Sequence, residues 1–350
     1  MQFLHRKIVL SISCVLFCFS AAIAQQQKFD LKVFQINIWH EGTQVPNGLQ
    51  VIAEEIIDKD PDIVLFSEIK HRTDTGFIRQ IIQVLKANGA TYYGKGNNEN
   101  LDVGLISKYP LKFPDVEQEK NELPAVSKTK ISIKGRDFIF YSAHLDYTNY
   151  ACYLPRGYDG VTWKKLPAPI NNNEEVLTAN KLSQRDEAIA AVISDVEKES
   201  KNQLIILAGD FNEPSHLDWT EATKDLFDHR GTVIPWHCSV MLYDAGFLDA
   251  FRVRFPNPVT HPGFTFPSYN KDVDINKLTW APDVDERDRI DYIYYLQNPS
   301  IQVKDVHVVG PVETVVRAKK QDRDSQDQFL VPKAVWPTDH KALLATFEIN

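Results

Sequence analysis

Several polar side chains of the types used in acid-base and metal chemistry follow short apolar runs of the sequence. Residues 204–207 are all apolar, and Asp210 and Asn212 come just after them. Four consecutive apolar residues bounded by polar residues and a Gly predict a strand buried on both faces. A carboxylate and a carboxamide at the end of such a strand would place a general base beside an amide donor. A Gly-Asp-Phe-Asn stretch also fits a simple turn, so the rest of the chain must decide between the two interpretations.

The same arrangement, a polar residue at or next to the edge of an apolar strand, recurs along the chain. Glu68 closes the run 63–66, where an acid is costly unless it is paired or binds a metal ion; a solvated strand end is the alternative. His144 ends the strand that begins near Phe138, either as a ligand-facing imidazole or as a core histidine. The whole set is Asn37, Glu68, His144, Asp210, Asn212, Asp291, Asp339 and His340.

This set of side chains suits phosphoryl transfer. That reaction needs charge neutralisation, an oriented water and in-line geometry more than it needs covalent chemistry. No Ser or Cys nucleophile motif competes with this interpretation, and no Cys/His cluster has zinc spacing.

The elements that would position these residues alternate between strands and helices. Strands are predicted near residues 31–39, 62–68, 103–110, 204–207, 288–296 and 342–349, with a hairpin formed by 131–133 and 138–141. Helices are predicted near 49–57, 77–87 and 216–227, with one starting near Lys181 and one ending near Gly246. No repeat, low-complexity tract or linker divides residues 25–350, which predicts a single domain.

Seven short signatures follow one another in a fixed order along this chain. They are Gln35-Ile36-Asn37-Ile38-Trp39, Phe66-Ser67-Glu68-Ile69, Gly104-Leu105-Ile106-Ser107-Lys108-Tyr109-Pro110, Ala143-His144-Leu145, Gly209-Asp210-Phe211-Asn212, Arg289-Ile290-Asp291-Tyr292-Ile293 and Thr338-Asp339-His340. Together they resemble the endonuclease/exonuclease/phosphatase superfamily, which includes pancreatic deoxyribonuclease, abasic-site endonucleases, neutral sphingomyelinases and inositol polyphosphate 5-phosphatases. The resemblance implies an α/β fold, a four-layer α/β/β/α sandwich of two packed mixed β-sheets with helices on the outer faces. The active site would lie at one end of that sandwich.

The resemblance also implies a metal site. Glu68 would be the principal ligand of Mg²⁺, for which Mn²⁺ could substitute, because a hard cation that keeps several waters prefers oxygen donors. Asn37 and Asp339 would complete or steady the metal surroundings.

The remaining residues would act on the phosphate, again by resemblance. Asp210 would orient and deprotonate the attacking water, and Asn212 would donate to a phosphoryl oxygen. His340, oriented by Asp291, would contact the phosphate, and His144 would do so from the opposite side. Whether His340 acts as acid, base or charged donor stays open, because a carboxylate partner tends to keep imidazole protonated.

Residues 147–180 form a long segment that the signatures do not cover. It is rich in Tyr, Trp, Pro and Asn, which is too many aromatic residues for a disordered linker. It leaves the strand end at His144, so we expect an ordered insertion at the rim of the active site, with substrate contacts from Tyr147, Asn149 and Trp163. The alternative is that these rings only pack the insertion onto the sandwich.

The first 24 residues have the pattern of a secretory signal peptide. Basic residues precede an apolar run at 8–19, and Ala22-Ile23-Ala24 supplies small residues at the cleavage spacing. Cleavage after Ala24 predicts a secreted or periplasmic protein, and the apolar run is short for a membrane span. Two cysteines, Cys152 and Cys238, would remain after cleavage, either as a disulfide or as two buried free thiols.

Charge bears on the substrate. Loss of Arg6 and Lys7 with the signal lowers the basic count from 39 to 37 against 47 acids, a net charge near −10. Proteins that hold nucleic acid through its phosphates are usually basic, so this balance disfavours a nucleic-acid substrate without excluding a local basic cleft.

The sequence therefore predicts a secreted, Mg²⁺-dependent phosphoesterase, more a diesterase than a monoesterase, acting on small or lipid-like esters before DNA. A secreted nuclease of DNA or RNA is the first alternative, and a hydrolase resembling sphingomyelinases or inositol-phosphate phosphatases is another. A non-catalytic binding module on the same fold is the third, and loss of Glu68, Asp210 or His340 would be its sign; all three are present. No protein partner is implied.

Overall fold

The computed structural model describes residues 28–70, 76–95, 101–112 and 123–350. The strands are β1 (Phe29–Asn37), β2 (Ile63–Ser67), β3 (Tyr93–Lys95), β4 (Val103–Ser107), β5 (Val126–Ile133), β6 (Arg136–His144), β7 (Leu204–Asp210), β8 (Phe247–Asp249), β9 (Asp291–Leu296), β10 (Ile301–Val309), β11 (Thr314–Val316), β12 (Lys319–Gln321), β13 (Phe329–Leu330) and β14 (Ala342–Ile349). The α-helices are α1 (Gly48–Lys59), α2 (Phe77–Ala87), α3 (Asn173–Asn180), α4 (Arg185–Val196), α5 (His237–Asp244) and α6 (Ala250–Arg254). The predicted signal peptide lies outside the described residues.

The strands form two mixed sheets and a small hairpin. The first sheet has the order β13-β10-β14-β1-β2-β4-β3, the second has the order β5-β6-β7-β9-β8, and β11 pairs with β12. Parallel pairing joins β1 to β2 in the first sheet and β6 to β7 in the second, and the strands flanking them run antiparallel. Each sheet therefore brings the carboxyl ends of two parallel strands to one edge.

Alternation of apolar side chains along the central strands separates the layers. In β1, Leu31 and Val33 lie in the core between the sheets, whereas Phe34 packs with residues of α1 and α2. In β7, Ile206 faces the same inter-sheet core and Ile205 packs against α4 and α5. The result is the predicted four-layer α/β/β/α sandwich, and the fold class is confirmed.

Some predicted elements differ from the structure. Residues 216–227 form a series of turns and not a helix. The Thr223 hydroxyl donates to the Asp218 carbonyl and accepts from the Thr220 amide, and such local side-chain bonds compete with helical ones. The helix expected near Lys181 begins at Arg185, after a separate short helix, and β10 was not predicted.

The segment 147–180 is part of a separate apolar core. Tyr153 and Val176 pack there with Trp219 and Trp236, which come from the turns after β7. Both predicted mature-chain cysteines are buried free thiols, which is the second of the two alternatives. In the part of the chain described here, no helix combines the length and the apolar composition that crossing a membrane requires.

A buried ion pair fastens this segment to the sandwich. Arg156 Nη1 lies 2.5 Å from Asp288 Oδ2, and the side chain of Arg156 is fully buried. The same guanidinium donates to the Arg287 carbonyl at 3.1 Å. The segment is therefore an integral part of the fold.

We expect Arg156→Met to destabilise the protein by about 3–5 kcal/mol, because it leaves the Asp288 carboxylate buried without its cation. Urea unfolding followed by circular dichroism measures the effect. Lys165→Met is the control, since it breaks only the exposed pair with Asp283 and should leave the unfolding midpoint unchanged. Equal midpoints for the two variants would contradict the role given to Arg156.

Candidate active site

Strand register brings three of the predicted residues side by side at one edge of the second sheet. His144 of β6 is paired with Asp210 of β7 in the parallel ladder, and Asp210 is paired with Asp291 of β9 in the antiparallel ladder. His144 and Asp210 end apolar strands and Asp291 begins one, so the polar groups appear where the three strands meet one edge of the core. Asp210 occupies the centre of the group.

The position before Asp210 requires glycine for a steric reason. A Cβ at Gly209 would lie 1.9 Å from the carbonyl oxygen of Ala143 on the adjacent strand. Only Gly allows β6 and β7 to approach this closely. The two sheets are joined at the same level by Ser67, whose Oγ donates to the Ala143 carbonyl at 2.9 Å and accepts from the Asp210 amide at 3.2 Å.

A chain of hydrogen bonds orients His340. Its Nδ1 lies 2.9 Å from Asp291 Oδ2, and Nε2 lies 3.8 Å from Asp210 Oδ2. The other oxygen of Asp291 accepts a hydrogen bond from Gln35 Nε2 at 2.8 Å. Asp291 is fully buried behind the imidazole, so it acts on His340 and does not face the cavity.

His144 approaches Asp210 from the other side. Its Nε2 is 3.9 Å from Asp210 Oδ2, and its Nδ1 is 2.8 Å from Asp102 Oδ2. Lys70 Nζ contacts the same oxygen of Asp102 at 2.9 Å. Asp210 is thus flanked by two imidazoles, each held by a carboxylate of its own.

Glu68 lies where β2 ends, next to the end of β1. It adopts a left-handed backbone conformation with φ 71°, which is costly for a non-Gly residue and is concentrated at functional sites. Its Oε1 accepts from Asn37 Nδ2 at 3.1 Å, and its Oε2 accepts from the His40 amide at 2.9 Å. Asn37 Nδ2 also donates to Asp210 Oδ2 at 2.9 Å, so one amide links the two carboxylates.

Burial and neighbouring charges shift the pKa values of the central groups. Burial and the nearby Asp291 raise the pKa of Asp210 to about 6. Burial opposes protonation of His340, but the charges of Asp291 and Asp210 outweigh it and raise the His340 pKa to about 10. Burial likewise opposes protonation of His144, and Asp102 nevertheless raises the His144 pKa above its ordinary value.

The acidic pair Glu68 and Asp339 is suited to a cation. Burial and the charge of Glu68 raise the pKa of Asp339 to about 7. Burial also disfavours ionised Glu68, but His144, His340 and the Asn37 hydrogen bond lower its pKa overall. Both carboxylates line one cavity, and a divalent ion would relieve the repulsion between these hard oxygen donors.

A second buried group is less suited to a metal ion. One ligand atom from each of Asp210, Asp291 and His340 lies within 4.8 Å of the others. However, both oxygens of Asp291 accept hydrogen bonds, and His340 Nδ1 is used in one of them. These three residues form a hydrogen-bonded orienting chain, and Glu68 with Asp339 offers the better cation site.

The cavity above these residues has a volume of about 390 Å³, with a polar end and an aromatic end. Its polar lining is Glu68, Asp210, Asn212, Asp339, His40, His144, His340 and Lys70. Its apolar lining is Trp39, Tyr147, Tyr150, Tyr153, Trp163, Phe266, Trp280 and Ile290. Tyr147 and Trp163, which were predicted to contact substrate, are among the lining residues.

One predicted residue is placed differently from the expectation, and a second has one of its donor hydrogens already in use. Asn149 does not line the cavity, because its amide donates to the Leu182 carbonyl at 3.2 Å; the structure does not bring it into the site. Asn212 lines the cavity, but one hydrogen of its amide is used by the Leu145 carbonyl at 2.9 Å. One donor hydrogen remains for a phosphoryl oxygen.

Sequence reasoning overlooked several residues that support the site. Gln35 stands two residues before Asn37, on the same face of β1, and strand periodicity offered that signal. Asp102 directly precedes β4, whose first residue pairs with Ser67 beside Glu68. Trp280 lies in an irregular segment and no sequence pattern pointed to it.

Comparison with known proteins identifies the family of this chain. The pattern of the Endonuclease/Exonuclease/phosphatase family matches residues 34–340, so the chain belongs to that family of phosphoester hydrolases. Enzymes of this family depend on a divalent metal ion, and the site contains a buried cluster of acidic and histidine side chains together with the carboxylates of Glu68 and Asp339.

The individual proteins that this chain resembles have low sequence identity to it. An uncharacterized protein of Caenorhabditis elegans is 28% identical over 294 residues, covering 82% of this chain and 84% of that protein. An endonuclease/exonuclease/phosphatase family protein from Leptotrichia buccalis has a similar structure, with a TM-score of 0.50, 16% identity and coverage of 90% of this chain and 98% of that one. TDP2 from Caenorhabditis elegans is similar with a TM-score of 0.50, 16% identity and coverage of 91% and 74%. At these identities the two structures support the fold alone.

Proposed function

We propose that this protein is a secreted, Mg²⁺-dependent phosphodiesterase that hydrolyses a P–O bond by attack of a water activated by Asp210. The observation that carries the proposal is the position of Asp210, whose Oδ2 lies 3.8–3.9 Å from the Nε2 atoms of His340 and His144. A carboxylate between two imidazoles can accept a proton from water while the imidazoles face the phosphate. Secretion rests on the predicted cleavage after Ala24.

The pKa values of Asp210 and His340 indicate different roles for the two residues. With a pKa of about 6, Asp210 is mostly ionised at neutral pH and can serve as the base. With a pKa of about 10, His340 is cationic at neutral pH and acts as a charged donor to a phosphoryl oxygen. The remaining hydrogen of the Asn212 amide would donate to another phosphoryl oxygen.

Glu68 and Asp339 would hold the Mg²⁺, and Asn37 would orient Glu68. A bound Mg²⁺ would supply charge neutralisation for the phosphoryl oxygens. The residues of the chain do the rest: Asn37 keeps the carboxylates of Glu68 and Asp210 in a common frame, and Asp291 keeps His340 turned toward Asp210. Mn²⁺ is the expected substitute.

We expect Glu68→Gln to keep the fold, to weaken Mg²⁺ binding by about tenfold or more and to lose most activity, because a hard divalent cation prefers a charged oxygen ligand. Calorimetric titration with Mg²⁺ measures the binding, and hydrolysis of an activated phosphodiester measures the activity. Glu313→Gln is the control, because Glu313 does not line the cavity, and it should bind Mg²⁺ as the unmodified protein does. Unchanged Mg²⁺ affinity in Glu68→Gln would remove Glu68 from the metal site.

The proposed preference for a small phosphodiester over nucleic acid rests on the net negative charge of the protein and on the aromatic residues that line the cavity. A hydrolysis assay with four substrates, each with and without chelator, tests this preference. The substrates are an activated phosphodiester, a phosphomonoester, plasmid DNA and sphingomyelin. Chelator-sensitive hydrolysis of the diester is expected. Hydrolysis of DNA alone would favour the nuclease, and binding without hydrolysis of any substrate would favour a binding module.

A further inference from the structure

The aromatic end of the cavity is a wall formed by Tyr150, Tyr153, Trp163 and Trp280. It has no part in the hydrolysis described above. The ring of Trp163 lies 5.0 Å from that of Trp280 at an interplanar angle of 31°, and 5.0 Å from that of Tyr153 at 89°. Trp280 is nevertheless 51% exposed. Apolar ring surface left open beside a cavity is the usual mark of a ligand-contacting wall.

A buried carboxylate joins the two segments that supply these rings. Glu286 Oε2 accepts from Tyr153 Oη at 2.9 Å, from the Trp280 amide at 3.0 Å and from the Ala281 amide at 3.1 Å. The Thr279 hydroxyl donates to its other oxygen. The wall is therefore held in place before a ligand arrives, which lowers the ordering cost of binding.

Buried guanidinium groups already cover two of the tyrosine rings. The guanidinium of Arg185 lies 5.7 Å from the ring centroid of Tyr150, and that of Arg156 lies 5.9 Å from the ring centroid of Tyr153. Both arginines are buried and lie beside carboxylates, Arg156 at 2.5 Å from Asp288 and Arg185 at 3.5 Å from Glu213. Trp163 and Trp280 are therefore the rings of this group that remain for a ligand.

The charges of the lining disfavour a second phosphate. Among the described residues that line the cavity, Lys70 is the one Lys or Arg, and it pairs with Asp102 at the polar end. The volume of about 390 Å³ is near the lower end of the range of about 300–1,000 Å³ typical of small-molecule sites. The cavity thus suits one phosphate with one compact organic group.

We propose that the cavity binds a phosphate ester whose organic group carries a planar aromatic ring, and that this ring packs on Trp163 and Trp280. Placing the phosphate beside His340 and His144 rests on the proposed function. Glu286 is a positioning residue for the wall. Aryl phosphates and single nucleotides share this chemistry, and the test below separates them.

Binding of four ligands to the mature protein in Mg²⁺ tests the proposal by calorimetry. Benzyl phosphate and cyclohexylmethyl phosphate differ in ring planarity, phosphocholine carries a cation, and thymidine 5′-phosphate carries a nucleobase. We expect benzyl phosphate to bind about two- to tenfold more tightly than cyclohexylmethyl phosphate, since aromatic pairs gain from ring geometry beyond buried area. Tighter binding of thymidine 5′-phosphate than of benzyl phosphate would identify nucleotides as the source of the ring, and the reverse order would identify aryl esters.

Variants locate the effect. Trp280→Ala should abolish the preference for benzyl over cyclohexylmethyl phosphate, Trp280→Phe should retain most of it, and Glu286→Gln should reduce it. Tyr243→Ala removes an exposed ring that does not line the cavity and should change nothing. If Trp280→Ala does not fold, the ligand series on the unmodified protein still decides.

Equal affinity for the two ring phosphates, or a preference for phosphocholine, would overturn the inference. Hydrolysis of an activated diester is measured in parallel on the same preparations. Retained hydrolysis without ring preference would overturn this inference alone, and ring preference without hydrolysis would overturn the proposed function alone.

Discussion

Asp210→Asn is expected to lower kcat by about 10²- to 10⁴-fold and to change KM little, because a general base acts in the transition state and contributes little to ground-state binding. The carboxylate is 1% exposed and accepts hydrogen bonds from the side-chain amide of Asn37 and from the backbone N–H of Asn212. An Asn side chain has nearly the same shape but cannot take a proton from water. Steady-state hydrolysis of an activated phosphodiester at saturating Mg²⁺ measures both constants.

The control for this variant is Asp327→Asn. Asp327 is also buried and accepts from the Gly263 amide and the Ser325 hydroxyl, but it does not line the cavity. Its kcat should stay near that of the unmodified protein. A loss of tenfold or less in Asp210→Asn, with folding intact, would place Asp210 outside the chemistry.

The pH dependence of the unmodified protein carries the same assignment. Because burial and Asp291 raise the pKa of Asp210 to about 6, the base is ionised above that value and is lost as the pH falls through it. A bound divalent cation would favour the ionised form, so kcat/KM should fall on the acid side at or below about pH 6. An acid limb above pH 7 would contradict Asp210 as the base.

His340→Ala is expected to lower kcat by about 10²- to 10³-fold, the usual cost of removing one preorganised donor to a developing negative charge. Its imidazole is held by Asp291 at 2.9 Å and lies 3.8 Å from Asp210. His307→Gln is the control, since His307 lies on β10 and does not line the cavity. A His340→Ala variant with nearly normal kcat would show that His144 alone serves the phosphate.

Asp291→Asn tests how His340 works. The charge of Asp291 helps to raise the pKa of His340 to about 10, so the imidazole stays cationic until the pH rises through that value. Removing the charge lowers this pKa, and the alkaline limb of the kcat/KM profile should move to lower pH. An alkaline limb that stays in place while the acid limb moves to lower pH would instead favour His340 as a neutral base.

Local patterns in the sequence were enough to predict most of the polar residues that gather at the cavity and the kind of element that carries each of them. A buried strand is a run of apolar residues, and the polar residue that ends the run lies at the edge of the core. Asn37, Glu68, His144 and Asp210 could therefore be recognised from the apolar residues before them. Their order along the chain was enough for the family and the fold class, which the structure and the comparisons confirm. The predicted domain limits and the roles of the individual residues stay predictions.

Tertiary structure alone decided how distant segments meet. Pairing of Asp210 with both His144 and Asp291 depends on the register of three strands, and Asp102 reaches His144 only because β4 lies beside β2. Register is set by packing of whole sheets, which no local pattern records. Asn149 illustrates the same limit, because its own loop turns its amide toward Leu182 and away from the cavity.

The aromatic wall shows the limit most clearly. The richness of residues 147–180 in aromatic residues was legible in the sequence, and it predicted rings at the rim of the site. The sequence did not show that Glu286, a buried carboxylate more than a hundred positions after this segment, accepts hydrogen bonds from Tyr153 and from the backbone of Trp280. A buried charge must find donors wherever the fold supplies them, so its partners are determined by the packed chain and not by its neighbours in sequence.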